Sequence, residues 1–196
     1  MDYEAYCQQI IFPELENGRP GWDKPHTESV VEHIKTIITH TPELNLDKDV
    51  LVIAAYAHDW GYAGLFKGGK PLSLSDVNNA KAAHMVIGAE KLEKLLNNEV
   101  FNFLSKDQKD RAVHLVRHHD SLFLLKETDE LVLMEADTLG GLDVRKVKPT
   151  FDAESNRKYM ENVKNYRRTK FITEYGKELF KGLYREREEY YNNRAD

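Results

Sequence analysis

An almost wholly apolar helix is the feature that most constrains how this chain can fold. The segment DKDVLVIAAYAHD, residues 47–59, begins at Asp47, a residue type that caps helix N-termini. The middle of the segment is apolar nearly all round, so other helices must enclose it. The segment nevertheless ends in His58 and Asp59, two groups that are costly to bury unless they are paired or bind an ion.

The remaining sequence shows the periodicity of amphipathic helices and no strand-like alternation. In SDVNNAKAAHMVIGAEKLEKLL the apolar stripe is predicted to include Val86, and SKDQ at 105–108 predicts a capping box. The pair Gly140–Gly141 predicts a break in the helix of ETDELVLMEADTLGGLD, and residues 146–196 contain two more amphipathic segments. The predicted fold is all-α, a compact multi-helix bundle with a C-terminal helical extension.

Composition limits the functional classes that the chain can belong to. With 196 residues it fits one domain, 1–196, and its 28 basic and 33 acidic side chains give a net charge of −5. This acidic balance disfavours nucleic acid as a partner. Cys7 is the single cysteine, no run is long enough to span a membrane, and the N-terminus is unlike a secretory signal. We therefore expect a cytoplasmic protein with no membrane partner.

The eight histidines suggest a metal site because several lie on different predicted helices. His26 begins one helix, His84 lies within another, and the RHHD cluster ends a third. Asp137 is one of two carboxylates in an otherwise apolar run, so it needs a partner or an ion. Imidazole and carboxylate together suit divalent metals. A hydrogen bond between His58 and Asp59 would explain that dipeptide alone, but not the whole arrangement.

Other histidine pairs offer alternatives that the residues alone leave open. His114 and His118 lie four residues apart, but no glutamate follows His114 as the H-E-x-x-H zinc helix requires. His33 and His40 share a helix face and are interpreted as surface or boundary residues. A different helix register would make His33 the first ligand in place of His26.

These motifs resemble the HD superfamily of metal-dependent phosphohydrolases over about residues 20–145. The resemblance is carried by H-x-x-x-V at His26, by HD-x-G at His58 and Asp59, and by A-D-x-L at Asp137. The family pattern H…HD…D implies that these four residues are metal ligands. It also implies that residues 146–196 are a helical extension of a single HD-domain bundle.

Some branches of the superfamily hold a second metal with two further histidines. His84, in H-x-x-x-G-A, matches the first of them. For the second we favour His119, because it shares a helix face with Ala112, Leu115 and Val116 that should point inward. His118 would then lie at the rim, where it could contact substrate.

The resemblance implies hydrolysis of a small phosphorylated compound, with a nucleotide as a reasonable substrate, by water activated at one or two divalent metals (Mn, Fe, Mg, Co, Ni or Zn). Asp59 and His58 would be the catalytic ligands. Positive charge for the phosphoryl oxygens is expected from the residues that follow the HD helix and the RHHD cluster. These candidates are Lys67, Lys70, Arg117 and Arg145, with His118 as a further contact.

Two alternatives share the same ligand set. A di-iron oxygenase of the inositol or organophosphonate type would use the same four histidines and two aspartates, and a metal-stabilised binding module would use them without catalysis. The motifs of guanosine-tetraphosphate hydrolases and cyclic-di-GMP phosphodiesterases are absent: no Glu-Asp pair occurs, and Ala63 follows Gly61-Tyr62.

The C-terminal segment carries five aromatic residues that we expect to pack on the core: Tyr166, Tyr175, Tyr184, Phe171 and Phe180. They could alternatively form a homodimer face.

Overall fold

The computed structural model describes residues 2–66 and 73–193, and within these ranges the chain forms eight α-helices and no strand. The helices are α1 Tyr3–Leu15, α2 Asp23–His40, α3 Lys48–Ala57, α4 Leu74–Leu95, α5 Lys106–His118, α6 Thr128–Leu142, α7 Ala153–Asn162 and α8 Glu174–Asn192. A 3₁₀ turn, Trp60–Tyr62, follows α3, and a π-helical turn, Val163–Arg167, follows α7. The all-α prediction is confirmed.

Helix α3 lies at the centre of the bundle. Every residue from Val50 to Ala57 is buried, and the helix packs against α1, α2, α5 and α6. Its N-terminus is capped as predicted, because the Asp47 side chain accepts a hydrogen bond from the Val50 amide at 3.1 Å. The apolar sequence of α3 thus reflects its enclosure on all sides.

Two local predictions are wrong. Helix α6 continues through Gly140 and Gly141, whose missing side chains permit close packing. A Cβ at Gly140 would lie 2.8 Å from Cγ2 of Val30 on α2, and one at Gly141 would lie 2.6 Å from the hydroxyl of Tyr159 on α7. On α4, Val86 is 42% exposed, because the buried face is the one that carries His84 and Gly88.

The capping box at Ser105 and Gln108 is confirmed at the start of α5. The sequence patterns did not predict α1, which buries Cys7, Ile11 and Leu15 against the bundle. Among the described residues no helix is long and apolar enough to cross a bilayer.

The C-terminal helices are anchored to α6 by buried polar contacts. Glu135, the second carboxylate of the apolar run, accepts hydrogen bonds from the Thr173 hydroxyl and, at 3.0 Å, from the Ile172 amide. Arg187 on α8 is fully buried and donates to the Gly141 carbonyl. Phe171 and Phe180 join the core as predicted, whereas Tyr166 is 51% exposed.

The different space around Gly140 and Gly182 predicts opposite effects on stability when each is replaced by alanine. Gly140→Ala should lower the free energy of unfolding by roughly 1–3 kcal/mol, because its Cβ would press on Val30. Gly182→Ala on α8, where a Cβ meets nothing within 4 Å, should raise it by about 0.5–1 kcal/mol. Urea unfolding at pH 7 measures both. A Gly140→Ala protein as stable as wild type would contradict this packing.

Candidate metal centre

The structure brings all six sequence-predicted ligands together in two adjoining groups of three. One group is His26, His58 and Asp137, and the other is Asp59, His84 and His119. Within each group the ligand atoms lie within 4.8 Å of one another. All are buried except Asp137, which is partly exposed. This convergence of nitrogen and oxygen donors is the arrangement that a divalent metal requires.

Five helices deliver these side chains to one place. His58 is the C-cap of α3, Asp59 follows it, and His119 is the C-cap of α5. The other three lie within helices: His26 near the start of α2, His84 in the middle of α4 and Asp137 in α6. Each ligand therefore depends on how its helix packs against α3.

Asp59 links the two groups. Its Oδ1 lies 3.6 Å from Nε2 of His84 and 3.8 Å from Nε2 of His119. Its Oδ2 lies 3.2 Å from Nε2 of His58 and 3.5 Å from Nε2 of His26. With one oxygen directed at each group, this carboxylate is placed to be shared by two ions.

Backbone hydrogen bonds fix the tautomers of two histidines. Nδ1 of His58 lies 2.8 Å from the Ala55 carbonyl, and Nδ1 of His119 lies 2.8 Å from the Val116 carbonyl. A carbonyl oxygen only accepts hydrogen bonds, so both Nδ1 atoms carry the proton. In the neutral ring Nε2 is then left as a lone-pair donor that points at the site. This is the tautomer that a metal ligand needs.

Imidazole nitrogens also meet in pairs across the site. Nε2 of His26 lies 3.3 Å from that of His58, and Nε2 of His84 lies 3.2 Å from that of His119. Nε2 of His26 also lies 3.0 Å from Oδ1 of Asp137. Two lone pairs at such distances repel unless a proton or a cation lies between them, so the geometry fits a cation.

The glycine of HD-x-G lets α4 approach the end of α3. A Cβ at Gly61 would lie 1.8 Å from the backbone oxygen of His84, so no other residue fits without moving α4. The next residue, Tyr62, stacks on the His84 ring at a centroid distance of 3.9 Å. The Trp60–Tyr62 turn thus positions a ligand that α4 carries.

The two ligand carboxylates are ionised near neutral pH, as metal binding requires. Burial opposes ionisation of Asp59 and Asp137, but neighbouring cations, Arg19 for Asp59 and Arg167 for Asp137, hold both pKa values well below the ordinary range. Burial together with His119 lowers the pKa of His84 to about 3. Burial alone would lower the pKa of His58, yet Asp59 and Asp137 raise it to about 9. A bound cation would compete with that proton.

A cavity of about 210 Å³ opens beside Asp59, His119, His26 and Asp137. Its wall contains four cationic side chains and one further carboxylate: Arg19, Lys81, Lys158, Arg167 and Asp120. Arg19 pairs with Asp59, and Arg167 pairs with Asp137. A cavity with metal-ligand groups on one side and cations on the other can receive a small anion.

Comparison with protein families matches residues 25–144 to the HD domain. The chain belongs to the HD domain family. HD domains bind divalent metals and are typical of metal-dependent phosphohydrolases, and the matched range contains all six candidate ligands. The comparisons with curated proteins and with solved structures found no match.

None of the predicted substrate contacts that the structure describes lies at the cavity wall. Lys67 and Lys70 lie outside the described residues. Arg117 and His118 do not line the cavity, and the His118 ring packs against His114 instead, at 4.6 Å. Arg145 is also away from it, because its 62% exposed side chain pairs with Asp143 and Glu186. In the described part of the chain none of these three residues lines the cavity, and their role in substrate binding stays a prediction.

The cations that do line the cavity were missed for identifiable reasons. Arg19 follows α1 in a Gly- and Pro-containing turn, and Arg167 stands in the sequence only as half of a short basic pair with Arg168. Both lie outside the HD range of 25–144. The position of Asp120 at the cavity could have been predicted, because this residue ends the RHHD cluster beside His119.

The alternative ligands are also resolved by position. His33 is buried away from the two ligand groups, and burial with nearby Lys146 lowers its pKa to about 4. His26 lies seven residues earlier on α2, and it is His26 that joins a ligand group.

Trp60 and Tyr62, two aromatic residues next to the HD pair, have different surroundings. Trp60 is buried and donates to Glu14 at 2.9 Å, so it belongs to the core, whereas Tyr62 lines the cavity.

The ion pair of Asp137 predicts a pH-dependent stability difference in the metal-free protein. Because the folded-state pKa of Asp137 is depressed, its contribution is present above its ordinary pKa of 3.8 and is lost as the pH falls. Asp137→Asn should lower the free energy of unfolding by about 1.5–3 kcal/mol at pH 7. The deficit should shrink between pH 5 and pH 3.

Urea unfolding at several pH values with chelator measures this deficit. Asp110→Asn is the matched control, because its side chain is 60% exposed on α5 and its deficit should stay small throughout. A deficit for Asp137→Asn that does not change with pH would contradict the assignment.

Proposed function

We propose that this HD protein is a metal-dependent phosphohydrolase that acts on a small phosphorylated compound, with nucleotides as the first class to test. One observation carries the proposal: six metal-ligand groups, five of them buried, converge beside a cavity whose wall carries four cationic side chains. Metal-ligand groups could activate water, and the cations would stabilise charge on phosphoryl oxygens. Family membership supports the same chemistry.

The donor set fits one or two divalent cations. Four imidazoles and two carboxylates suit Mn, Fe, Co, Ni or Zn, and the carboxylates are also acceptable to Mg. His26, His58 and Asp137 would hold one ion, and Asp59, His84 and His119 would hold the other. When bound, such cations polarise the phosphoryl group and lower the pKa of water at the site.

The chain's own residues would orient the ligands and neutralise charge. The Ala55 and Val116 carbonyls hold the rings of His58 and His119 with Nε2 directed inward. Arg19 and Arg167 offset the charge of Asp59 and Asp137. Asp120 accepts a hydrogen bond from Arg167 at 2.7 Å and forms an ion pair with Lys81 at 3.1 Å, so it orders both cations at the cavity wall. His58 and Asp59 are the proposed catalytic ligands.

The cationic wall favours an anionic substrate, which supports a phosphate compound and disfavours an uncharged substrate such as inositol. A di-iron oxygenase of the organophosphonate type would also need cations around its substrate, so the requirement for oxygen is what separates the two reactions. The guanidinium groups of buried Arg167 and partly buried Arg19 lie beside the ligand carboxylates, and their positive charge would stabilise negative charge on phosphoryl oxygens.

The deciding experiment combines anaerobic purification with metal analysis and a phosphate-release screen. The protein is loaded with Mn, Mg, Co or Ni and incubated with phosphomonoesters, phosphodiesters and nucleotides without oxygen. We expect phosphate release that chelator abolishes and that Asp59→Asn lowers by roughly 100-fold or more, since the shared ligand is lost. Iron content with O₂ consumption and no phosphate release would instead support the oxygenase. Full activity of Asp59→Asn would contradict the catalytic assignment.

The two-group arrangement predicts how metal content changes in single variants. His84→Ala and His119→Ala should each reduce bound metal by up to one ion per chain while the first group is retained. His118→Ala is the matched control, because His118 neighbours His119 but packs against His114. Mass-spectrometric metal analysis of the loaded proteins measures the stoichiometry. Metal loss in His118→Ala equal to that in His119→Ala would contradict the ligand assignment.

A further inference from the structure

Two arginines, buried Arg167 and partly buried Arg19, lie beside the two ligand carboxylates, and neither belongs to the matched HD range. Arg19 lies between α1 and α2 and donates to Oδ2 of Asp59. Arg167 ends the π-helical turn after α7 and donates to Oδ2 of Asp137. The segments that flank residues 25–144 therefore each supply one guanidinium to the cavity.

Arg19 is held in a fixed orientation and keeps donors for a ligand. Its Nε and backbone amide donate to Asp23, and its guanidinium lies over the Tyr62 ring at 4.2 Å. In the described part of the chain its side-chain hydrogen bonds use Nε and Nη2, which leaves the Nη1 hydrogens available at the cavity wall. A guanidinium so oriented is suited to phosphate oxygens.

Arg167 is positioned by an unusual backbone conformation. Short π-helical turns are rare and often occur at functional sites. Here the turn directs Arg167 inward, where Nε donates to the Thr138 hydroxyl at 2.7 Å and Nη1 donates to Asp120 at 2.7 Å. The neighbouring Arg168 instead packs over Phe171 and Phe180 on the bundle. The turn thus separates two consecutive arginines into a cavity residue and a packing residue.

Charge and size restrict the ligand further. The cavity is lined by four cationic side chains and three carboxylates, and divalent cations on Asp59 and Asp137 would add to the positive excess. A terminal phosphate carries close to two negative charges at pH 7, whereas a diester carries one. At about 210 Å³ the cavity is smaller than the roughly 300–1,000 Å³ typical of drug-sized ligands, so it suits one small organic group better than two.

We propose that Arg19 and Arg167 form a clamp for the terminal phosphate of a small phosphomonoester and so determine the specificity of the site. The clamp deepens the proposed function and rests on it. Each guanidinium would donate to non-bridging phosphate oxygens from its own side of the metal centre. The reason is that Arg19 and Arg167 pair with carboxylates that belong to different ligand groups. The segments on either side of the HD range would then select the substrate.

Two measurements test the clamp. The first compares kcat/KM for p-nitrophenyl phosphate and bis(p-nitrophenyl) phosphate with the Mn-loaded protein, and the monoester should be preferred. The second measures binding of inorganic phosphate to the same protein by calorimetry. Arg19→Gln and Arg167→Gln should each weaken phosphate binding by roughly 10- to 100-fold, the loss of one or two charge-assisted hydrogen bonds.

The controls separate the clamp from folding and from metal binding. Arg145→Gln removes an exposed arginine that pairs outside the cavity and should bind phosphate as wild type does. Metal content and circular dichroism are recorded for every variant. Where a Gln variant loses metal or fails to fold, Arg19→Lys or Arg167→Lys replaces it, and this substitution should still weaken phosphate binding because lysine lacks the planar pair of donors.

Each outcome decides the proposal. Diester hydrolysis as efficient as monoester hydrolysis would overturn the clamp while leaving the phosphohydrolase function intact. Phosphate binding within twofold of wild type in folded, metal-loaded variants at both arginines would also overturn it. Hydrolysis of neither compound and of no compound in the phosphate-release screen, with arginine-dependent phosphate binding, would contradict the proposed function but support the phosphate site.

Discussion

The carboxylate of Asp59 is the group on which the rest of the site depends. It is 4% exposed at the end of the most apolar helix of the bundle, where an unpaired charge would be strongly unfavourable. Four histidine nitrogens and the Arg19 guanidinium surround it, and its two oxygens face different ligand groups. Helix α3 can therefore end inside the protein only because neighbouring helices supply partners for this charge.

Supplying those partners requires close and specific packing. Gly61 brings the turn after α3 against the backbone of α4, and Gly140 brings α6 against α2. Without these contacts His84 and Asp137 would stand too far from Asp59 to share an ion. Backbone carbonyls one turn earlier then set the ring orientation of His58 and His119. The same helix contacts thus determine both the fold and the positions of the ligands.

The HD range and its flanks contribute different parts of the candidate active site. Residues 25–144 contain every candidate metal ligand, together with Lys81 and Asp120 at the cavity wall. The segments outside this range contribute Arg19, Lys158 and Arg167. The flanking helices are also bound firmly to the bundle, through Glu135 and through buried Arg187. Substrate selection by the flanks would be compatible with a metal centre common to the family.

The sequence by itself determined the helical class and the central position of α3, because both depend on local periodicity. The six candidate ligands were implied by the resemblance to the HD superfamily, whose short motifs can be recognised without the fold. Even the preference for His119 over His118 followed from helix phase, and the structure directs His119 to the ligand group. The cavity cations were beyond such reasoning, because Arg19 and Arg167 meet the ligands across separations of 40 and 30 residues. Arg145 and Arg167 look alike as sequence, and only tertiary packing decided that one is buried beside Asp137 while the other pairs at the surface.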